Sequence, residues 1–325
     1  MTEQGKFAKG VVAQGFVAHS FVAHSFVAVG GGVLVLVALV CAITGALSPM
    51  ANPSDFFASS LTLLPQAAAN LVLALIGAVT TATGLVTARR GSAPAPLRVA
   101  SIGGLLVLLG PGVLAAVGYL PFLLVSALAG DVAPLRNYLS PALVLQLVVV
   151  ALVVTLLLSW IEQAVRADRG ETSNRGLWWT WIAIAVPLVY TVSRVLMAIG
   201  IPDLSMENSS GAAGLGLGAA AAGGAVLTWG LIRPWGERFP RWMIGLAGKR
   251  VPVRMAVVPA LCAAVLVLAG SRMLLSQMLA DNPGIPNNVV VWLPIWLWPL
   301  WSFALVAAAM HYRLRRARAE VAIAR

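Results

Sequence analysis

Apolar residues in this chain come in long blocks rather than in strand-like alternation. Eight blocks of mostly apolar residues lie at about 27–48, 66–88, 100–129, 141–161, 177–199, 212–233, 255–278 and 292–312. In hydrocarbon the backbone must satisfy its own N–H and C=O groups, and a helix of ~20 residues does so across a bilayer. The expected fold is therefore all-α: a polytopic membrane protein with about eight transmembrane helices. The third block carries Gly110-Pro111-Gly112 and then Pro121, which predicts a kink. Phe56 to Leu64 is apolar but too short to cross, and reads as an interfacial or re-entrant turn.

These blocks divide the chain. Residues 1–26 form a cytoplasmic N-terminal low-complexity segment, 27–161 carry helices 1–4, and 162–176 form a cytoplasmic linker. Residues 177–312 carry helices 5–8, and 313–325 form a basic cytoplasmic tail. Residues 16–30 read FVAHS, FVAHS, FVAVG. A period of five advances ~500° on a helix, so His19 and His24 do not share a face and do not match i, i+4 zinc spacing. Lys6 and Lys9 precede the first block, but it begins too late for a leader of ~15–30 residues, and an uncleaved span is expected.

Composition agrees with the pattern. Of 325 residues, 60% are hydrophobic and only 10% charged. A soluble domain carries about a quarter charged residues, so an ordinary soluble enzyme and a disordered chain are both excluded. The net charge is +11, from 22 Lys+Arg against 11 Asp+Glu. With the N-terminus inside, the basic residues fall almost wholly on cytoplasmic segments: Lys6 and Lys9; Arg89, Arg90 and Arg98; Arg166, Arg169 and Arg175; the 233–254 loop; and Arg313 to Arg325. Arg136 alone falls on an outer loop. That bias predicts both termini cytoplasmic, and it turns a charge that could suggest nucleic acid into a topology signal. No nucleic-acid partner is expected. Trp160, Trp178, Trp179, Trp181, Trp229 and Trp235 sit near inner span ends, as interfacial anchors do. Trp296, Trp298 and Trp301 run deeper, as core or as an aromatic ligand face.

Two basic residues fall inside spans. Arg194 follows Ser193 in the fifth, and Arg272 follows Ser271 in the seventh. Ile201-Pro202-Asp203 and Ile285-Pro286-Asn287 follow them. Spans 5–6 and 7–8 thus read as two copies of one helical hairpin. An ionisable residue within a span is costly. Arg194 and Arg272, with Tyr190 and Gln277 on the same helices, form a candidate anion site. The alternative is snorkelling or pairing with Asp203, Glu207 or Asp281. Gln66, Asn70 and Gln146 read as helix-to-helix glue, and Gly214 and Gly218 as a GxxxG packing face. Cys41 and Cys262 lie in apolar runs and read as small buried hydrophobes. No catalytic constellation, metal-ligand set or cofactor motif is found.

The loop RPWGERFPRWMIGLAGKRVPVR carries Arg233, Arg238, Arg241, Lys249, Arg250 and Arg254 against one acid, Glu237. This composition suits contact with an anionic inner leaflet, and the tail from Arg313 reads the same way. RPWGERFPRW with AGKRVPVRMAVVPA resembles a segment of uncharacterised multi-spanning integral membrane proteins of high-GC Gram-positive bacteria. The resemblance implies a bacterial cytoplasmic membrane and assigns no activity to any residue. The expected function is non-enzymatic: a sensor, a scaffold or a partner subunit, alone or as a homo-oligomer. The alternative is a transporter of a small anionic or amphiphilic solute using Arg194 and Arg272.

Overall fold

A computed structural model describes the backbone except at residues 1–2, 111, 134–137, 169–174, 200–210, 240, 242, 282–292, 295 and 324–325. It describes side chains except at these positions and at 3–21, 56, 58, 121–122, 175, 211–214, 273–281, 321 and 323. Among the described residues the architecture is helical, with one isolated antiparallel bridge between Arg238 and Arg250. Among the described residues, five helices are long and apolar enough to cross a membrane, or six if a bent pair counts as one span. The chain folds as two compact units, Met1–Leu157 and Leu158–Arg325.

The first unit holds α1 (Glu3–Thr44), a 3₁₀ turn (Phe56–Leu61), α2 (Gln66–Arg90), α3 (Ala95–Leu108) and α4 (Gly112–Leu128). The first part of α5 (Pro141–Ala167) completes it. Helices α1 and α2 pack most closely, because glycines remove the side chains that would hold them apart. A Cβ on Gly31 would stand 2.5 Å from the Thr81 backbone nitrogen and 2.7 Å from the Gly77 carbonyl oxygen. Gly84 likewise faces the Ala28 backbone. This is the small-residue packing of membrane helices, where dispersion and close backbone approach replace the hydrophobic effect. Thr83 and Ser101 join α2 to α3 through a buried hydroxyl pair at 2.6 Å. Helix α2 ends where Gly91 takes φ 76° and donates to the Thr87 carbonyl at 2.9 Å, with Arg89 and Arg90 in the last turn facing the negative end of the helix dipole.

The second unit holds the rest of α5, then α6 (Arg175–Ala198), α7 (Gly211–Gly230), α8 (Val253–Asp281) and α9 (Trp298–Ile323). Helix α9 packs on both α6 and α8, and α6 packs on α7. Hydroxyls again cross between helices. Thr191 donates to the Gly218 carbonyl at 2.9 Å, and Ser302 to the Ala264 carbonyl at 2.7 Å. Gly218 of the expected GxxxG face therefore serves an internal contact.

Several boundaries differ from the sequence expectations. The first helix begins at Glu3 rather than near residue 27, so the FVAHS repeat is helical. Its apolar window is Val22–Thr44, and Gly45 at φ 70° turns the chain. Four residues in each FVAHS unit besides His favour or tolerate a helix, so nothing stops it earlier. The expected linker 162–176 is partly helix, since α5 runs to Ala167 and α6 starts at Arg175. The sixth block yields the helix Gly211–Gly230, ending short of Arg233. The tail expected to lie on lipid continues α9 to Ile323. The kink in the third block is a 70° break between Ala95–Leu108 and Gly112–Leu120, and the short apolar stretch before α2 is the 3₁₀ turn.

Candidate functional site

In the second unit, polar groups gather near the C-terminal end of α6. Tyr190 is buried, and the Arg194 guanidinium carbon lies 4.7 Å from the centroid of its ring. The spacing of four residues puts both on one helix face. Trp298, at the start of α9, meets Tyr190 edge to face at 5.5 Å. Gly218 leaves room for the Arg194 stem, since a Cβ there would approach the Arg194 Cβ at 3.2 Å. Trp298 and Trp301 are only 5% and 9% exposed. Their indole N–H groups and the Arg194 Nε are buried without an acceptor. An orphaned buried donor costs about 1–3 kcal/mol. Two of these donors, on Arg194 and Trp298, flank one tyrosine, and an anion or carbonyl would satisfy them. The Arg194 terminal nitrogen Nη1 reaches the Met197 thioether at 3.5 Å.

Arg272 stands on the exposed side of α8 and has an interaction of its own. The repeated Ser-Arg pairs share local geometry. Ser193 donates to the Tyr190 carbonyl and Ser271 to the Leu268 carbonyl, each at 2.7 Å. They differ four residues before the arginine, where one helix has Tyr190 and the other Leu268. The Gln277 side chain, Arg136, and the loop residues Asp203, Glu207 and Ile285-Pro286-Asn287 lie outside the described residues, as does the side chain of Asp281. So do the side chains of Lys6, Lys9, His19 and Arg175, and the packing around Gly214.

In the first unit a second polar centre forms around Gln146, which is fully buried. Its carbonyl oxygen accepts from the Gly110 N–H at 2.9 Å. Its amide nitrogen donates to the Leu108 carbonyl at 3.0 Å and the Phe57 carbonyl at 3.3 Å, and lies 3.2 Å from the Met50 sulfur. The α3–α4 break and the 3₁₀ turn both expose backbone groups that a continuous helix would pair. One glutamine on α5 supplies partners for both. Nearby, Gln66 accepts from the Ser48 N–H at 2.9 Å and donates to the Ala51 carbonyl at 2.7 Å. A groove of about 410 Å³ between α1 and α2 is lined by Cys41, Gln66, Asn70 and apolar residues.

The six basic residues proposed for lipid contact are all exposed. Arg233 stacks on Trp229, its guanidinium carbon 4.7 Å from the ring centroid. The tail arginines behave differently, which corrects their reading as lipid-facing. Arg313 grips Glu162 through two bonds of 2.8 and 3.0 Å, and Arg318 grips Asp168 at 2.7 and 2.8 Å. Arg315 pairs with Glu237 at 2.9 Å and donates to the Leu231 carbonyl at 2.7 Å. Arg316 donates to the carbonyls of Glu237 and Val251. The carboxylates hold the Arg313 and Arg318 guanidinium groups above their ordinary pKa, outweighing the opposing effect of burial. These guanidinium groups form a fork-shaped seam that the sequence did not announce, because the partners are some 150 residues apart.

Cys41 and Cys262 carry free thiols. Among the described residues no three His, Cys, Asp or Glu side chains gather to hold a metal ion. No protein-family model, curated protein or solved structure matches the chain.

Proposed function

We propose that this chain is a non-enzymatic integral membrane protein of eight spans with both termini cytoplasmic, residing in a bacterial cytoplasmic membrane. It acts as a sensor or partner subunit that recognises the anionic end of an amphiphilic molecule in the outer leaflet. The observation that carries this reading is the pair of buried, acceptor-free donors beside Tyr190: Arg194 Nε and Trp298 Nε1. In the expected topology these lie toward the outer face, where a carboxylate or phosphate head group would supply the missing acceptors. Trp298 and Tyr190 offer apolar surface to the attached chain. Arg272 is a lesser contributor because it faces outward on α8. The exposed Arg233, Arg238, Arg241, Lys249, Arg250 and Arg254 face the anionic inner leaflet.

Thermal unfolding of purified protein with added phosphatidylglycerol, oleate or phosphatidylcholine tests the reading. The two anionic probes should stabilise wild type more than phosphatidylcholine does, and Arg194→Gln and Trp298→Phe should each reduce that difference. Equal shifts in wild type and both variants would sink it.

The broken span α3–α4 favours a second reading, a transporter. Discontinuous helices build substrate paths in many carriers. Oleate flux across sealed proteoliposomes that falls in Arg194→Gln would favour transport. Binding without flux would favour the sensor.

A further inference from the structure

The segment between α7 and α8 folds into a small hairpin. The Phe239 N–H donates to the Lys249 carbonyl at 3.0 Å, the Gly248 N–H to the Phe239 carbonyl at 3.0 Å, and the Val251 N–H to the Glu237 carbonyl at 2.9 Å. The tip is tightened by the Leu246 and Ala247 N–H groups, both bonded to the Met243 carbonyl, and by Gly245 and Gly248 at φ 80° and 73°. The base is fixed. Arg315 holds Glu237, Arg316 holds two of its carbonyls, and Tyr312 donates to the Gly236 carbonyl at 3.0 Å.

The tip has the opposite character. Ile244 is 100% exposed and Leu246 is also exposed. The rigid base thus holds two neighbouring apolar side chains out at the tip, where an apolar medium in reach would cover them. Charge identifies the medium. Arg238 and Arg250 stand directly opposite each other in the antiparallel bridge, and like charges so placed repel. The loop's one acid, Glu237, is already taken by Arg315. A phosphate between the two arginines would turn repulsion into two charge-assisted bonds. The hairpin joins the ends of two membrane helices, so a bilayer surface lies beside it.

We propose that the Glu237–Val251 hairpin is a built-in lipid anchor. Ile244 and Leu246 enter the boundary between head groups and acyl chains, and the Arg238–Arg250 pair clasps an anionic phospholipid head group. This rests on the cytoplasmic placement of the loop given above and adds insertion and a phosphate clasp to it.

The test uses full-length protein with Cys41 and Cys262 replaced by Ser and a single NBD-labelled cysteine at Ile244→Cys. A second version carries the label at Ala319→Cys, on the exposed side of α9. Both are placed in nanodiscs of phosphatidylcholine alone or with phosphatidylglycerol. The Ile244 label should be quenched by doxyl lipid at least twofold more, and by iodide at least twofold less, than the Ala319 label in the anionic discs. Arg238→Gln with Arg250→Gln should cut the anionic-lipid dependence of insertion about fivefold per charge removed. Inorganic phosphate in phosphatidylcholine discs should not reproduce the effect. A label at Ile244 as open to iodide as that at Ala319 in both discs overturns the anchor, and lipid dependence unchanged in the arginine variants overturns the clasp. Nanodiscs expose both leaflets, so these outcomes do not depend on sidedness. Labelling of Ala319→Cys by an impermeant maleimide on intact cells would separately refute the cytoplasmic placement.

Discussion

Replacing Gln146 by Met keeps the length and flexibility of the side chain and removes every hydrogen bond. The Gly110 N–H at 2.9 Å and the Leu108 carbonyl at 3.0 Å then lose the partner α5 gives them at a fully buried site. Phe57 loses a longer bond at 3.3 Å. Each orphaned backbone group costs about 1–3 kcal/mol. The variant no longer buries its own amide, which offsets part of this, so the expected net loss is about 2–4 kcal/mol. Side-chain hydrogen bonds between membrane helices average only ~0.6 kcal/mol, because partners are found even in the unfolded state within the membrane. The larger figure applies here because the deserted groups are backbone groups at a helix break, with no alternative partner in their own helix. Reversible unfolding in mixed micelles measures the loss, and hydrogen exchange at the Gly110 amide locates it. Thr155→Val is the control, since that hydroxyl bonds only the Ala151 carbonyl of its own helix at 2.7 Å. If Gln146→Met unfolds within about 0.5 kcal/mol of wild type and Gly110 stays protected, the glutamine does not hold the break and the argument fails.

Two neighbouring glycines provide a steric test. Gly31→Ala drives a methyl group into the α2 backbone and should cost at least ~2 kcal/mol, whereas Gly32→Ala, with open space around its Cβ, should change stability by less than ~1 kcal/mol; denaturation of the two variants side by side checks this. A double-mutant cycle on Arg313→Gln and Glu162→Gln should return a coupling of about 1 kcal/mol that shrinks with added salt, because the pair is bidentate but partly exposed. No coupling at low salt would mean the pair contributes nothing to closing the second unit.

The helical blocks were legible because hydrocarbon enforces one backbone solution. Their ends were less so. The apolar block at about 27–48 marked a span but not the helix that leads into it, because a repeat rich in Phe, Val and Ala continues a helix as readily as a loop. The break after Leu108 was foreseen from Gly110-Pro111-Gly112, but its keystone was not. Gln146 showed only as a lone amide in an apolar run, and the carbonyls it serves are 38 and 89 residues away. Arg194 and Tyr190 could be paired by helical spacing. Trp298 could not, since its place beside them depends on how α9 packs on α6. The tail arginines were misread for a similar reason. A basic run near a membrane has the same composition whether it meets phosphate or distant carboxylates, and only the fold brings Glu162 and Asp168 to it.

The seam between α5 and α9 also sets an order in time. Glu162 and Asp168 leave the ribosome about 150 residues before Arg313 and Arg318. Synthesis proceeds from the N-terminus, so through that whole interval the two acids wait at the end of α5 without the arginines that finally hold them. The second unit therefore closes late, when α9 arrives and zips its arginines onto charges laid down early.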